Sequence, residues 1–204
     1  MASMTGPVVD GRTARRERNR SEVVEAALAL VDEGEVDPSI EQLTKRSGLS
    51  ARSIFRYFEG LDDLRRAVIQ RHIERAEAIL ESNSDAADGP LETRIRRFVD
   101  TRVKVNESIA GPARTAQLRA PHAPFIAEDI RRYRKILDAQ VRTYFAPELK
   151  ARSRAEAEDL VSLIDVIVSF DGWDLMVNEY ERSRTQIRRS WTYALENLLA
   201  GRSR

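Results

Sequence analysis

The chain is expected to fold as an all-α protein, with an N-terminal three-helix helix-turn-helix unit followed by a larger helical one. Three observations carry that expectation. Apolar residues recur every three or four positions along most of the 204 residues, and no stretch sustains the alternation of a half-buried strand. Capping signals and Gly or Pro breaks punctuate the stripes at helix-like intervals. The segment from Ser39 to Phe58 writes two short amphipathic helices on either side of Gly48, the arrangement by which a small domain offers a helix to a major groove.

Taken in order, Val24, Ala27, Leu28 and Val31 mark a first helix from about Arg15 or Arg20 to Glu33, stopped by Gly34. Asp37-Pro38 forces a turn. Ser39 with Gln42 forms a capping box that starts the second helix, where Ile40 and Leu43 face inward. After Gly48, Leu49, Ile54 and Phe58 join them. A longer helix runs from Leu61 to about Ser82 with Leu64, Val68, Ile73, Ala76 and Leu80 inward, and Asn83 to Pro90 is a loop. The next spans roughly Leu91 to Ile109. A short helix follows Gly111-Pro112, and Pro121 and Pro124 close that segment. Ile126, Ile130, Tyr133, Leu137, Val141 and Tyr144 set a long helix ending before Pro147. Two last helices run from about Arg154 to Tyr180 and from about Ser183 to Leu199. The domain reading is 1–14 as a disordered arm or the remnant of an expression tag, 15–62 as the helix-turn-helix domain, and 63–204 as the second domain.

Composition narrows the function. Hydrophobic residues make up 42% and charged residues 33%, with no run of eighteen apolar residues, so neither a membrane span nor a secretory leader is expected. With no cysteine, disulfides and thiolate chemistry drop out, and a reducing, cytoplasmic setting is allowed. The net charge of +1 hides an uneven distribution: Arg12, Arg15, Arg16, Arg18 and Arg20 stand against Glu17 alone, a local balance of +4. Such an arm either attracts phosphates or is a solvated tail. His72 and His122 are the only histidines and neither follows a Glu by three residues, so no metal and no cofactor are expected.

The residue types around Gly48 suit double-stranded DNA. Gly48 takes a left-handed turn without a Cβ penalty. Ser50 caps the second helix, whose N–H groups and dipole favour phosphate. Ala51, Arg52, Phe55 and Arg56 share an exposed face. An arginine there makes a bidentate contact to a guanine edge, worth about 1–3 kcal/mol of discrimination. Ser53 and Tyr57 offer hydroxyls, and Phe55 packs on a thymine methyl or the sugar backbone. With Ser39 and Arg15, Arg16, Arg18 and Arg20 these are the candidate DNA contacts. An ordinary αα-hairpin is the plain alternative.

Gly48-Leu49-Ser50, then Ser53-Ile54-Phe55-Arg56-Tyr57-Phe58, then Asp62-Asp63-Leu64 resembles the signature of the TetR family of transcriptional regulators, over about Arg15 to Ala67. The resemblance implies an all-α homodimer of about nine helices, a three-helix reader on a divergent ligand-binding and dimerisation domain. It further implies a small-molecule effector that releases a palindromic operator. Two residues depart from the pattern: Phe55 replaces a Tyr, and Leu61 stands where a Lys usually contacts phosphate. Losing that Lys lowers the salt slope by roughly one unit unless Arg56, Arg65 or the basic arm compensates.

In the second domain, Leu160, Val161, Leu163, Ile164, Val166, Ile167, Val168 and Phe170 make a helix apolar on nearly every side. Its cover is either its own core or that core plus a second subunit. The homodimer reading names Leu160, Ile164, Ile167, Ile187, Trp191, Leu195 and Leu198 as interface. Arg102 and Asp171 interrupt apolar stripes. They are expected either to pair with each other or snorkel to water, or to be polar fixtures of an effector pocket. That pocket would be walled by Phe98, Tyr133, Phe170 and Trp173 and rimmed by Arg119 and His122. A constitutive DNA-binding regulator and an all-α enzyme or carrier are the rival classes. The latter lacks a phosphate loop, a histidine-rich site or a serine nucleophile with a base.

Overall fold

The computed structural model describes residues 11–35, 37–81 and 87–200. Residues 1–10 of the arm expected at 1–14, Ser82 at the expected end of the fourth helix and loop residues 83–86 lie outside them. Eleven α-helices and one 3-10 turn, and no strand, occur among the described residues. The chain divides into two compact units after Arg71, nine residues beyond the boundary expected at 62/63.

The first unit holds α1 (Gly11–Asp32), α2 (Ile40–Ser47), α3 (Ala51–Tyr57) and the start of α4 (Leu61–Glu81). The helix begins at Gly11, so the arginines expected in an arm from Arg12 onward sit on helical turns, because nothing between Gly11 and Glu22 breaks the helix. The α2 capping box forms as read: Ser39 Oγ accepts from the Gln42 N–H at 3.2 Å and Gln42 Oε1 accepts from the Ser39 N–H at 2.7 Å. Gly48 takes φ 70°, and its N–H donates to the Thr44 carbonyl. Val23, Val24, Ala27, Leu28, Leu43, Ile54, Phe58, Leu64 and Val68 form the core of this unit. At about 25 cal/mol per Å² of apolar surface, such packing rather than helix propensity holds helices of seven and eight residues.

The second unit continues α4 and adds α5 (Leu91–Ser108), α6 (Ala110–Arg119), the 3-10 turn Ala120–His122, α7 (Pro124–Tyr144), α8 (Ala146–Lys150), α9 (Arg154–Ile167), α10 (Phe170–Asn178) and α11 (Arg184–Leu199). Its main core gathers α5, α7, α9, α10 and α11 around Phe98, whose ring meets Tyr144 and Phe145 edge-on at 5.1 Å each. Arg94 fixes one end. It donates to the Gly89 and Tyr144 carbonyls and to both oxygens of Glu148.

Two helices exceed the nine expected. α8 is one turn that Pro147 starts, and the single helix expected from Arg154 to Tyr180 breaks after Ile167. Ser169 caps α10 there, its Oγ accepting from the Gly172 N–H at 3.0 Å. Asn106 Nδ2 donates to the freed carbonyl of Val168 at 3.1 Å. A Cβ on Gly172 would lie 2.8 Å from the Ile167 carbonyl oxygen, so the corner closes only around a residue without one.

Candidate functional site

The face that α3 leaves open is built by its own capping. Ser50 Oγ accepts from the Ser53 N–H at 3.2 Å and lies 3.0 Å from Ser53 Oγ, which consumes much of both hydroxyls in local structure. Ile54 and Phe58 turn inward, which sends Arg52, Phe55 and Arg56 out. Phe55 is 52% exposed. Arg52 is exposed and makes no ion pair among the described residues. Ala51 is partly covered and Ser39 is exposed at the head of α2.

Tyr57 is placed differently from the sequence expectation. It is buried, and its hydroxyl accepts from Asn19 Nδ2 at 2.8 Å and from Arg56 Nη2 at 2.9 Å. Those two donors, Asn19 first, hold the phenol below its usual range. The hydroxyl therefore joins α1 to α3 instead of facing outward, because the residue one turn from Ser53 falls on the α1 side of so short a helix. Arg56 also lies over the Tyr57 ring, 5.1 Å from its centroid.

Arg15, Arg16 and Arg18 are exposed along α1, while Arg20 packs 4.9 Å over the Phe58 ring. Arg65, one residue expected to stand in for the missing Lys at Leu61, is held by Asp62 at 2.6 Å and Asp37 at 3.0 Å. Of the cations expected to compensate, Arg15, Arg16, Arg18 and Arg56 remain exposed.

In the second unit the structure brings together only part of the expected effector set. Arg102 is 1% exposed, and its guanidinium lies 5.0 Å from the Phe98 centroid. Its Nη2 donates to the Leu137 carbonyl at 2.8 Å. Asp171 does not pair with it. Asp171 is exposed, where Gln117 donates to it and Arg134 lies at 3.6 Å, because the break before α10 carries it off the line of Ile164. The carboxylate nearest Arg102 is Asp165, at 4.0 Å. Sequence reasoning passed over Asp165, although it is the only charged residue between Leu160 and Phe170.

Burial lowers Arg102 to about 10, with Asp165 opposing, and pushes Tyr133 up to about 12, with Arg102 opposing. Phe98 and Trp173 are buried, Phe170 and Arg119 partly so, and His122 is exposed on the 3-10 turn. Among the described residues no group of acidic residues and histidines could hold a metal ion. No helix there is long and apolar enough to cross a membrane.

Five of the seven expected interface residues are buried within the single chain, and two are partly buried. Leu160, Ile164, Ile187, Trp191 and Leu195 are buried inside the unit, and Ile167 and Leu198 pack against the same core. The apolar residues that α9 and α11 leave exposed are Leu163, Val166 and Tyr193, the last two at 69%.

No family sequence model and no curated protein matches this chain. Solved structures do. The chain is similar to a TetR transcription regulator from Haloarcula marismortui, at 15% identity and TM-score 0.71, over 90% of this chain and 97% of that one. A TetR-family transcriptional regulator from Streptomyces coelicolor aligns at 18% identity and TM-score 0.71, over 89% and 80%. A protein from Saccharomonospora viridis, described as a transcriptional regulator in complex with choline, aligns at 15% identity and TM-score 0.69, over 88% and 96%. At identities this low the likeness establishes the fold alone.

Proposed function

We propose that this chain, whose fold is that of the TetR-family transcriptional regulators, binds an operator in double-stranded DNA as a homodimer and is released from it by a small-molecule effector. The observation that carries the reading is α3: a helix capped by Ser50, anchored by Ile54 and Phe58, and presenting Arg52, Phe55 and Arg56 to solvent. Arg52 or Arg56 reads a guanine edge, Phe55 meets a thymine methyl or sugar, and the α1 arginines take phosphates. Tyr57 positions Arg56 rather than touching a base.

Pairing uses the outward faces of α9 and α11, with Leu163, Val166 and Tyr193 at its centre. A two-fold dimer sets two copies of α3 one or more helical turns apart and so calls for a palindromic site. The effector sits in the second unit near Arg102 and Tyr133. It acts by favouring a conformation in which the two copies of α3 no longer match successive grooves. The choline-bound protein of the same fold supports a place for a small molecule in this architecture.

Selection from a random duplex library at low salt tests the reading. Enrichment of a palindrome, lost in Arg52→Ala, is the expected result. An unenriched library after several rounds removes DNA from the account.

A further inference from the structure

The polar atoms enclosed by α5, α7 and α9 do not balance. Arg102 has one hydrogen bond, to the Leu137 carbonyl, and its Nε is buried with none. Asp165 stands at 4.0 Å, past hydrogen-bond reach, and its Oδ1 is likewise buried and unbonded. The Tyr133 hydroxyl, one turn before Leu137 on α7, is in the same condition, and so are both amide atoms of Gln140 one turn after it.

A guanidinium taken fully out of water calls for a partner that accepts several hydrogen bonds. One backbone carbonyl and a ring face do not meet that demand. The larger deficit lies on the cation: Arg102 has 1% of its side chain exposed, whereas Asp165 keeps 25%, although its Oδ1 is buried. Lowered only to about 10, Arg102 remains charged at neutral pH, and Tyr133, raised to about 12, remains an O–H donor. Beside the charge, two unfilled donors, Arg102 Nε and the Tyr133 O–H, therefore stand against one unfilled acceptor, Asp165 Oδ1. A planar, two-oxygen anion is what a guanidinium edge with a neighbouring phenol accepts.

We infer that the effector carries a carboxylate, and that this carboxylate takes the Nε edge of Arg102 with the Tyr133 hydroxyl as second donor. This rests on the effector-responsive reading above and names its ligand class. Asp165, within Coulomb range of Arg102, keeps the site from holding an anion permanently.

Formate, the smallest carboxylate, is the probe. Protein labelled with ¹⁵N at arginine Nε is titrated at pH 7 with sodium formate, with sodium chloride at matched ionic strength, and with formamide. The Arg102 Nε–H resonance is assigned by its loss in Arg102→Met. A saturable formate shift of that resonance and a rise in melting temperature are expected, with neither control reproducing them. Tyr133→Phe raises the formate midpoint about tenfold, the loss of one charge-assisted hydrogen bond. Should Arg102→Met not fold, Arg102→Lys supplies the assignment. A resonance that moves equally in formate and chloride overturns the inference. Duplex binding by the same preparation separates the two failures: DNA bound with formate silent sinks the carboxylate alone, whereas silence toward both also sinks the regulator.

Discussion

Removing Glu148 should cost the second unit more than any other single surface-adjacent change. Its two carboxylate oxygens meet Arg94 Nη2 at 2.5 Å and Nη1 at 2.8 Å, with side chains only 6% (Arg94) and 14% (Glu148) exposed. Breaking a buried pair from one side costs about 3–5 kcal/mol, because the remaining charge is stranded. In Glu148→Leu, Arg94 keeps the Gly89 and Tyr144 carbonyls, which places the loss near the low end, about 3 kcal/mol. Arg94→Met strands a carboxylate that still reaches water, for about 1–2 kcal/mol. The double variant strands no charge, only the Gly89 and Tyr144 carbonyls that Arg94 had bonded, and should return to within about 2 kcal/mol of wild type. Urea unfolding followed by tryptophan fluorescence reads this unit alone, since Trp173 and Trp191 both lie in it. With a slope of about 2 kcal/mol/M, the Glu148→Leu midpoint falls by about 1.5 M.

The pair also sets a pH dependence. Arg94 holds the Glu148 carboxyl below its usual value of 4.5, so its contribution is complete above that value and is lost as pH falls through the lower folded-state one. The gap between wild type and Glu148→Leu should therefore close in acid. Additive losses in the double variant, or a Glu148→Leu midpoint equal to wild type at neutral pH, would refute the reasoning.

Four further outcomes are expected. Gly172→Ala drives a Cβ to 2.8 Å from the Ile167 carbonyl oxygen and should lower stability by about 1–3 kcal/mol in the same urea assay. His72 is buried and its pKa is lowered to about 4, by burial first and Arg75 second, from 6.5. The unfolded chain therefore gains the proton first, and the His72 contribution to stability declines by about 3 kcal/mol between pH 6.5 and 4 and changes no further below; His72→Leu should flatten that decline in a pH series of melts. Val166→Asp with Tyr193→Asp should yield a folded monomer by light scattering, and a dimer that persists would move the pairing face elsewhere. Leu61→Lys should steepen the salt dependence of duplex binding by about one unit, read from the slope of log affinity against log salt.

What the sequence disclosed was local. The Ser39–Gln42 box, the Gly48 turn and the inward Ile54 and Phe58 each depend on residues within one or two turns, and the structure has all of them. The break after Ile167 was harder to read, because Val168, Phe170 and Trp173 continue an apolar run that masks Ser169 as a cap. A helix apolar all round also does not say which side its own core will claim. Leu160 and Ile164 went inward and left Leu163 and Val166 out. Tyr57 misled for a similar reason: on a helix of two turns, a hydroxyl one residue off the open face has a neighbouring helix to bond. Arg102 was legible as a charge in an apolar stripe, but its carboxylate neighbour was not, since contacts across helices leave no trace in spacing.

The corner at Val168–Ser169 lets one greasy stretch serve two masters. Run straight, its flanks would all point around a single axis, and neighbours on one side could hide only part of them. Folded over at Gly172, the leading limb leaves Leu163 and Val166 exposed, while the trailing limb tucks Phe170 against Trp173 at 5.7 Å within its own unit. Whatever bends that single pinched peptide shifts the exposed Leu163–Val166 face against the Phe170–Trp173 pair.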